Sequence, residues 1–122
     1  MNILVYKIIH LVGLILLFQA LGASIFASMS GARPPEGSSR RLIGAMHGIG
    51  LVLLLVGGFG MLARLEIGFP FPAWTWVKLG IWAALGAAPQ FAWKRPEAAR
   101  IWWFVVLVLG CIAAYMGLFK PF

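Results

Sequence analysis

Apolar residues run almost unbroken through four stretches, Ile3–Ser28, Leu42–Ala63, Ala73–Trp93 and Ile101–Phe119, and nearly all the charge lies in the short segments between them. Crossing a hydrocarbon core of roughly 30 Å takes about 20 helical residues, so each stretch is long enough to span a bilayer. None carries the polar face that a helix needs in a soluble bundle. The pattern predicts an all-α fold: a polytopic membrane protein built as an antiparallel bundle of four transmembrane helices. The connections are too short to hold a soluble unit, so residues 1–122 are expected to form a single integral-membrane domain. Lys7 ahead of the first apolar run resembles the start of a signal peptide, but the run is too long for one and is read as a retained first helix.

The connections carry their own signals. Met29-Ser-Gly-Ala-Arg-Pro-Pro-Glu-Gly-Ser-Ser39 is rich in turn formers, and Ser38 or Ser39 is placed to cap the second helix. Glu66-Ile-Gly-Phe-Pro-Phe-Pro72 is apolar for a loop and is expected to lie at the interface or against a partner, with Pro72 in the first turn of helix three. Pro89 is expected to kink that helix and Pro96 to stop it. Helix two is dense in glycine; Gly44 and Gly48 form a small-xxx-small pair, read first as tight packing within the bundle and second as a homodimer seam.

Composition agrees with the pattern. The chain is 62% hydrophobic and 11% charged, against about 25% charged in a soluble domain. Its net charge of +7 is a topology signal. Arg33, Arg40 and Arg41 lie in the first connection and Lys94, Arg95 and Arg100 in the third, whereas Lys7, Arg64 and Lys120 lie on the other side. The positive-inside rule then puts the first and third connections in the cytoplasm and both termini on the outer side. The basic excess suits anionic lipid head groups, and no separate basic domain exists to bind nucleic acid. Trp74, Trp76, Trp93, Trp102 and Trp103 fall at span ends, where indoles favour the interface.

Candidate chemistry comes from the few polar residues within the spans. Lys78 is the only charge in Ala73–Trp93; a charge in hydrocarbon is costly unless paired, hydrated or neutralised, and such residues are functional candidates by default. The bland alternative is a lysine snorkelling to the interface. With span centres near Leu14, Val52, Ala83 and Gly110, the helical rise puts His10 about 6 Å, and Lys78 and Tyr115 about 7 Å, to the outer side of the midplane. His47 and Gln19 fall about 7 Å to the cytoplasmic side. Two histidines about 13 Å apart in depth cannot ligate one metal or sandwich one haem, whereas His10 and Lys78 can meet. His47 in its glycine-rich helix and Gln19 read first as interhelical hydrogen bonding. Cys111 and Met116 read as core filling, and no metal site is expected, since a copper centre needs a tighter Met/His/Cys cluster.

Val5-Tyr-Lys-Ile-Ile-His10 resembles the Lys-x-x-His opening of the first helix in the SirB, HemJ and CopD families of small four-span bacterial membrane proteins. Trp74-Thr-Trp-Val-Lys78-Leu, followed by Leu85-Gly86, is similar to their third-helix Trp-x-x-x-Lys signature. Arg40-Arg41-Leu42 is HemJ-like, and His47 early in helix two is SirB-like. The resemblance implies an inner-membrane location. It also implies haem b bound through His10 and Lys78, the pair implicated in HemJ-type proteins, whose activity is protoporphyrinogen oxidation. Tyr115, in the same polar layer, is added as a cofactor-binding candidate.

Three functions follow as expectations. The first is a membrane subunit or binding protein, holding haem b between helices one and three as part of a larger complex or homo-oligomer. Glu36, Glu66 and Glu97 all lie in connections, so no carboxylate within a span supports autonomous chemistry. The second is a HemJ-type oxidoreductase. The third is a metal or small-solute transporter; it ranks last because an apolar middle separates the two polar layers.

Overall fold

In the computed structural model, which describes residues 2–31 and 36–120, the chain forms four helices in the order α1 (Ile3–Met29), α2 (Gly37–Arg64), α3 (Ala73–Lys94) and α4 (Ala99–Phe119). A short 3₁₀ turn, Pro96–Ala98, leads into α4. Arg33, one of the basic residues of the first connection, lies outside the described residues. α1, α2 and the segment Pro96–Phe119 are each long and apolar enough to cross a membrane. α3 is not among them, which corrects the expectation that all four stretches are long and apolar enough to span. Its 22 residues include Lys78, Pro89, Gln90 and four tryptophans, and these dilute an otherwise alanine- and leucine-rich helix.

Helix starts also differ from expectation. α2 begins at Gly37, with Glu36 at the N-cap and no side-chain cap, so Ser38 and Ser39 lie inside the first turn. Pro72 is the N-cap residue of α3 rather than part of its first turn. Pro89 sits within α3, which continues to Lys94, and Pro96 opens the 3₁₀ turn that separates α3 from α4.

α1 is the hub, touching the other three helices, whereas α2 and α4 make no contact among the described residues. The largest fully buried side chains, Leu17, Leu21, Ile25 and Ser28, all belong to α1. Against them pack Leu54 of α2, Ile81, Leu85, Ala88 and Ala92 of α3, and Val106 of α4. The alanines let α1 and α3 approach, and the Ser28 hydroxyl donates to the Ala92 carbonyl at 2.8 Å. The outer surface is apolar: Ile15 is 64%, Val52 57%, Leu107 59% and Leu118 80% exposed. Water would make that surface costly, whereas lipid tails make it neutral.

The tightest seam joins α1 to α2. A Cβ built on Gly13 would lie 2.8 Å from the Gly50 carbonyl oxygen and from the Leu54 nitrogen. On Gly50 it would lie 2.8 Å from the Leu17 nitrogen, and on Gly57 2.6 Å from the His10 nitrogen. Gly50 and Gly57 are seven residues apart, two helical turns, and so face α1 together. In lipid, helices gain little from burying apolar surface and associate instead by close backbone packing, which glycine permits. Gly44 and Gly48 do not serve this seam, because a Cβ on either meets nothing within 4 Å. That corrects the reading of this pair as packing within the bundle.

Two glycine-to-alanine variants test the seam. G57A should lower stability by about 1–3 kcal/mol, the usual range for forcing a methyl into a filled contact, while G48A should be near neutral. Thermal unfolding in a mild detergent, followed by circular dichroism, separates the two.

Candidate functional site

His10 is held by two structural facts. Gly57 brings the α2 backbone against the His10 main chain, and Gly58 leaves its ring room: a Cβ there would sit 3.7 Å from both Cε1 and Nδ1. The ring reaches the Leu54 carbonyl, with Nδ1 at 3.0 Å. A carbonyl only accepts, so Nδ1 carries the hydrogen and donates. In the neutral imidazole this leaves Nε2 as the lone-pair nitrogen. A backbone carbonyl fixing one ring nitrogen is the usual support of a ligating histidine, because it sets both tautomer and orientation.

Lys78 lies on α3, a turn and a half from the helix start, and is half-buried. Its amine lies against α4, where a Cβ on Gly117 would be 2.9 Å from Nζ. Lys78 lies on α3 and His10 on α1, two helices in contact. Lys120 closes α4 in a left-handed conformation with φ 47°. Its Nζ donates to the Gly117 carbonyl at 2.8 Å and stands 5.7 Å from the Trp74 ring centre.

Tyr115 does not join this group. Its side chain is exposed and packs on Phe119, with ring centres 4.9 Å apart. Gly117 faces Lys78, and two helical residues subtend about 200°, so Tyr115 points nearly the other way. Thr75, which the sequence reading passed over, belongs to the same end. It lies one turn before Lys78 on the same face of α3 and is 5% exposed, and its hydroxyl has no hydrogen-bond partner among the described residues. A threonine in a helix commonly bonds the carbonyl four residues back. For Thr75 that residue is Phe71, which precedes the helix.

The second histidine serves a different purpose. His47 Nε2 lies 3.3 Å from the Leu85 carbonyl, to which it donates. Residue 89, four positions on, is proline, which has no N–H to offer that carbonyl. His47 therefore satisfies from α2 an acceptor that Pro89 leaves open in α3. Beside it, Trp82 Nε1 donates to the Leu51 carbonyl at 3.0 Å, a second polar tie between the same two helices. Gln19 and Cys111 are exposed rather than in the core, and Gln19 makes no interhelical hydrogen bond among the described residues.

Where α2 stops and α3 begins, the apolar second connection folds back on the bundle. Phe71 packs between Phe59 and Trp76, with ring centres 5.8 and 6.1 Å away, while Phe69 remains 79% exposed. Among the described residues, no three His, Cys, Asp or Glu side chains gather closely enough to hold a bare metal ion. In comparisons with known proteins, no family model, curated protein or solved structure matches this chain.

The His47–Pro89 relation is open to a double-mutant cycle. H47A alone should cost about 0.6–1.7 kcal/mol, the range for interhelical hydrogen bonds in membranes. In a P89A background the cost should shrink, because an N–H at residue 89 again serves the Leu85 carbonyl. Equal costs in both backgrounds would refute the link.

Proposed function

We propose that this protein is a four-span integral-membrane binding subunit that takes haem b at His10, in the outer half of the bundle, and works within a larger membrane complex. The observation that carries the reading is the His10 hydrogen bond to the Leu54 carbonyl, which leaves Nε2 as an oriented, unprotonated donor. The donor chemistry suits the group, since haem iron needs only one or two axial ligands and imidazole is a common one. Lys78, on α3, which contacts α1, supplies either an amine or a positive charge to the same group. When bound, haem supplies one-electron redox chemistry; the chain's own contribution is to fix the imidazole and keep its surroundings apolar.

The reading includes α3 as a fourth span despite its lower hydropathy. α1, α2 and α4 are apolar enough to span alone, and α3 can follow them into the bilayer because it turns Ile81, Leu85, Ala88 and Ala92 into the bundle. With the basic first and third connections in the cytoplasm, the protein belongs in a bacterial inner membrane with both termini on the periplasmic side.

A second reading, a HemJ-type oxidoreductase carrying electrons from a porphyrinogen to a quinone, is favoured by one observation. The histidine and lysine of that resemblance lie on α1 and α3, which are in contact here.

The test is the visible spectrum of protein purified after haem-replete expression, oxidised and reduced. A reducible haem b spectrum should appear in wild type, vanish in H10A and weaken or shift in K78A. A colourless, folded wild type rejects the haem reading. Extraction in mild detergent should yield a hetero-complex, and recovery of a lone monomer counts against the subunit role. Rescue of a strain lacking protoporphyrinogen oxidase would favour the oxidoreductase; failure by a well-expressed protein rejects it.

A further inference from the structure

The end of the bundle where α3 begins and α4 stops concentrates positive charge around one residue, Gly117. The Lys78 amine lies 2.9 Å from the position of its Cβ, and the Lys120 amine donates to its carbonyl oxygen at 2.8 Å. Adding the Cβ-to-oxygen span of one residue, the two amines are no more than about 9 Å apart. Each lysine has three N–H donors, and the Gly117 carbonyl occupies only one of those on Lys120. The α3 N-terminus adds the positive pole of its helix dipole, and the Thr75 hydroxyl, one turn from Lys78, is a buried polar group without a partner. Among the described residues the one carboxylate at this end is Glu66, exposed in the α2–α3 connection.

Two like charges held together beside an apolar surface are unfavourable alone and favourable around an anion. We propose that Lys78 and Lys120 together hold the phosphate of one anionic phospholipid. A lipid is favoured over a free phosphate by what surrounds the amines. Leu118, next to Gly117 on α4, is 80% exposed and offers an apolar surface beside the amines along which an acyl chain can lie. Lys78 is half-buried a turn and a half inside α3, with its amine against α4, where an unpaired charge is costly and a lipid phosphate can meet it. Trp74, beneath Lys120, gives this end the indole expected at the level of lipid head groups. The site shares Lys78 with the haem reading but needs no haem at His10, and Lys120 belongs to the phosphate site alone.

The full chain is reconstituted in vesicles of phosphatidylglycerol and phosphatidylcholine, extracted in mild detergent and examined by native mass spectrometry for retained lipid. Wild type should keep one phosphatidylglycerol in preference to phosphatidylcholine. K78Q and K120Q should each lower that retention about fivefold, the effect of one lysine at a lipid surface. K120R should restore it, and K94Q, at the opposite end, should leave it unchanged. Lys120 is exposed, so K120Q and K120R keep the test sound even if K78Q fails to fold. Equal retention of both lipids, or unchanged phosphatidylglycerol retention in K120Q, overturns the proposal. Lysine-dependent binding of inorganic phosphate to delipidated protein, without phosphatidylglycerol retention, overturns the lipid assignment in favour of a free anion. A colourless protein that keeps the lipid rejects only the haem reading.

Discussion

The close approach of α1 and α2 through Gly13, Gly50 and Gly57 is the constraint from which the rest of this structure follows. At these positions the backbone of one helix lies where the other would carry a Cβ. The contact is short because there is no side chain between the helices, and in lipid such packing replaces the hydrophobic drive that water supplies. Because Gly57 lies against the main chain of His10, the same contact brings that imidazole within 3.0 Å of the Leu54 carbonyl. Helix association and the orientation of the most ligand-competent side chain are thus one event.

The opposite side of the bundle is assembled differently. α2 and α3 meet mainly through side chains, with His47 on the Leu85 carbonyl and Trp82 on the Leu51 carbonyl. Both bonds use backbone acceptors inside helices. Hydrocarbon offers no water to such groups, so an acceptor left open by proline must be satisfied from a neighbouring helix. A histidine that looks like a ligand candidate in the sequence is, in this light, the partner of Pro89. The two histidines share a residue type and a bonding mode, yet His10 frees its Nε2 while His47 uses its own.

Charge divides the molecule in the same way. Arg40, Arg41, Lys94 and Arg100 lie in the end turns of their helices, with Arg95 between α3 and α4, and all five are exposed. Lys78 and Lys120 instead converge on Gly117 of α4, at the end that also holds His10 and the unpartnered Thr75 hydroxyl. An electropositive, half-buried corner of this sort is suited to an anionic amphiphile more than to a bare cation.

The sequence by itself determined the helices, their order and the separation of polar residues into two depths. Apolar run length and the rise per residue are local properties that no packing can alter. It also marked Lys78 as exceptional, since a single lysine in such a run stands out without any neighbour. Tertiary structure decided everything that depends on helix phase and partner. Tyr115 shares a depth with Lys78 but not a direction, because Gly117 is the residue that α4 turns toward α3. Glycines are plentiful in α2, yet which of them form the seam depended on where α1 lies; Gly44 and Gly48 face open space while Gly50 and Gly57 are filled. The role of His47 was present in the sequence as a proline four residues after Leu85, but only the fold brought an imidazole to that carbonyl. Depth follows from counting along one chain, whereas contact requires the rotation of two helices to be known together.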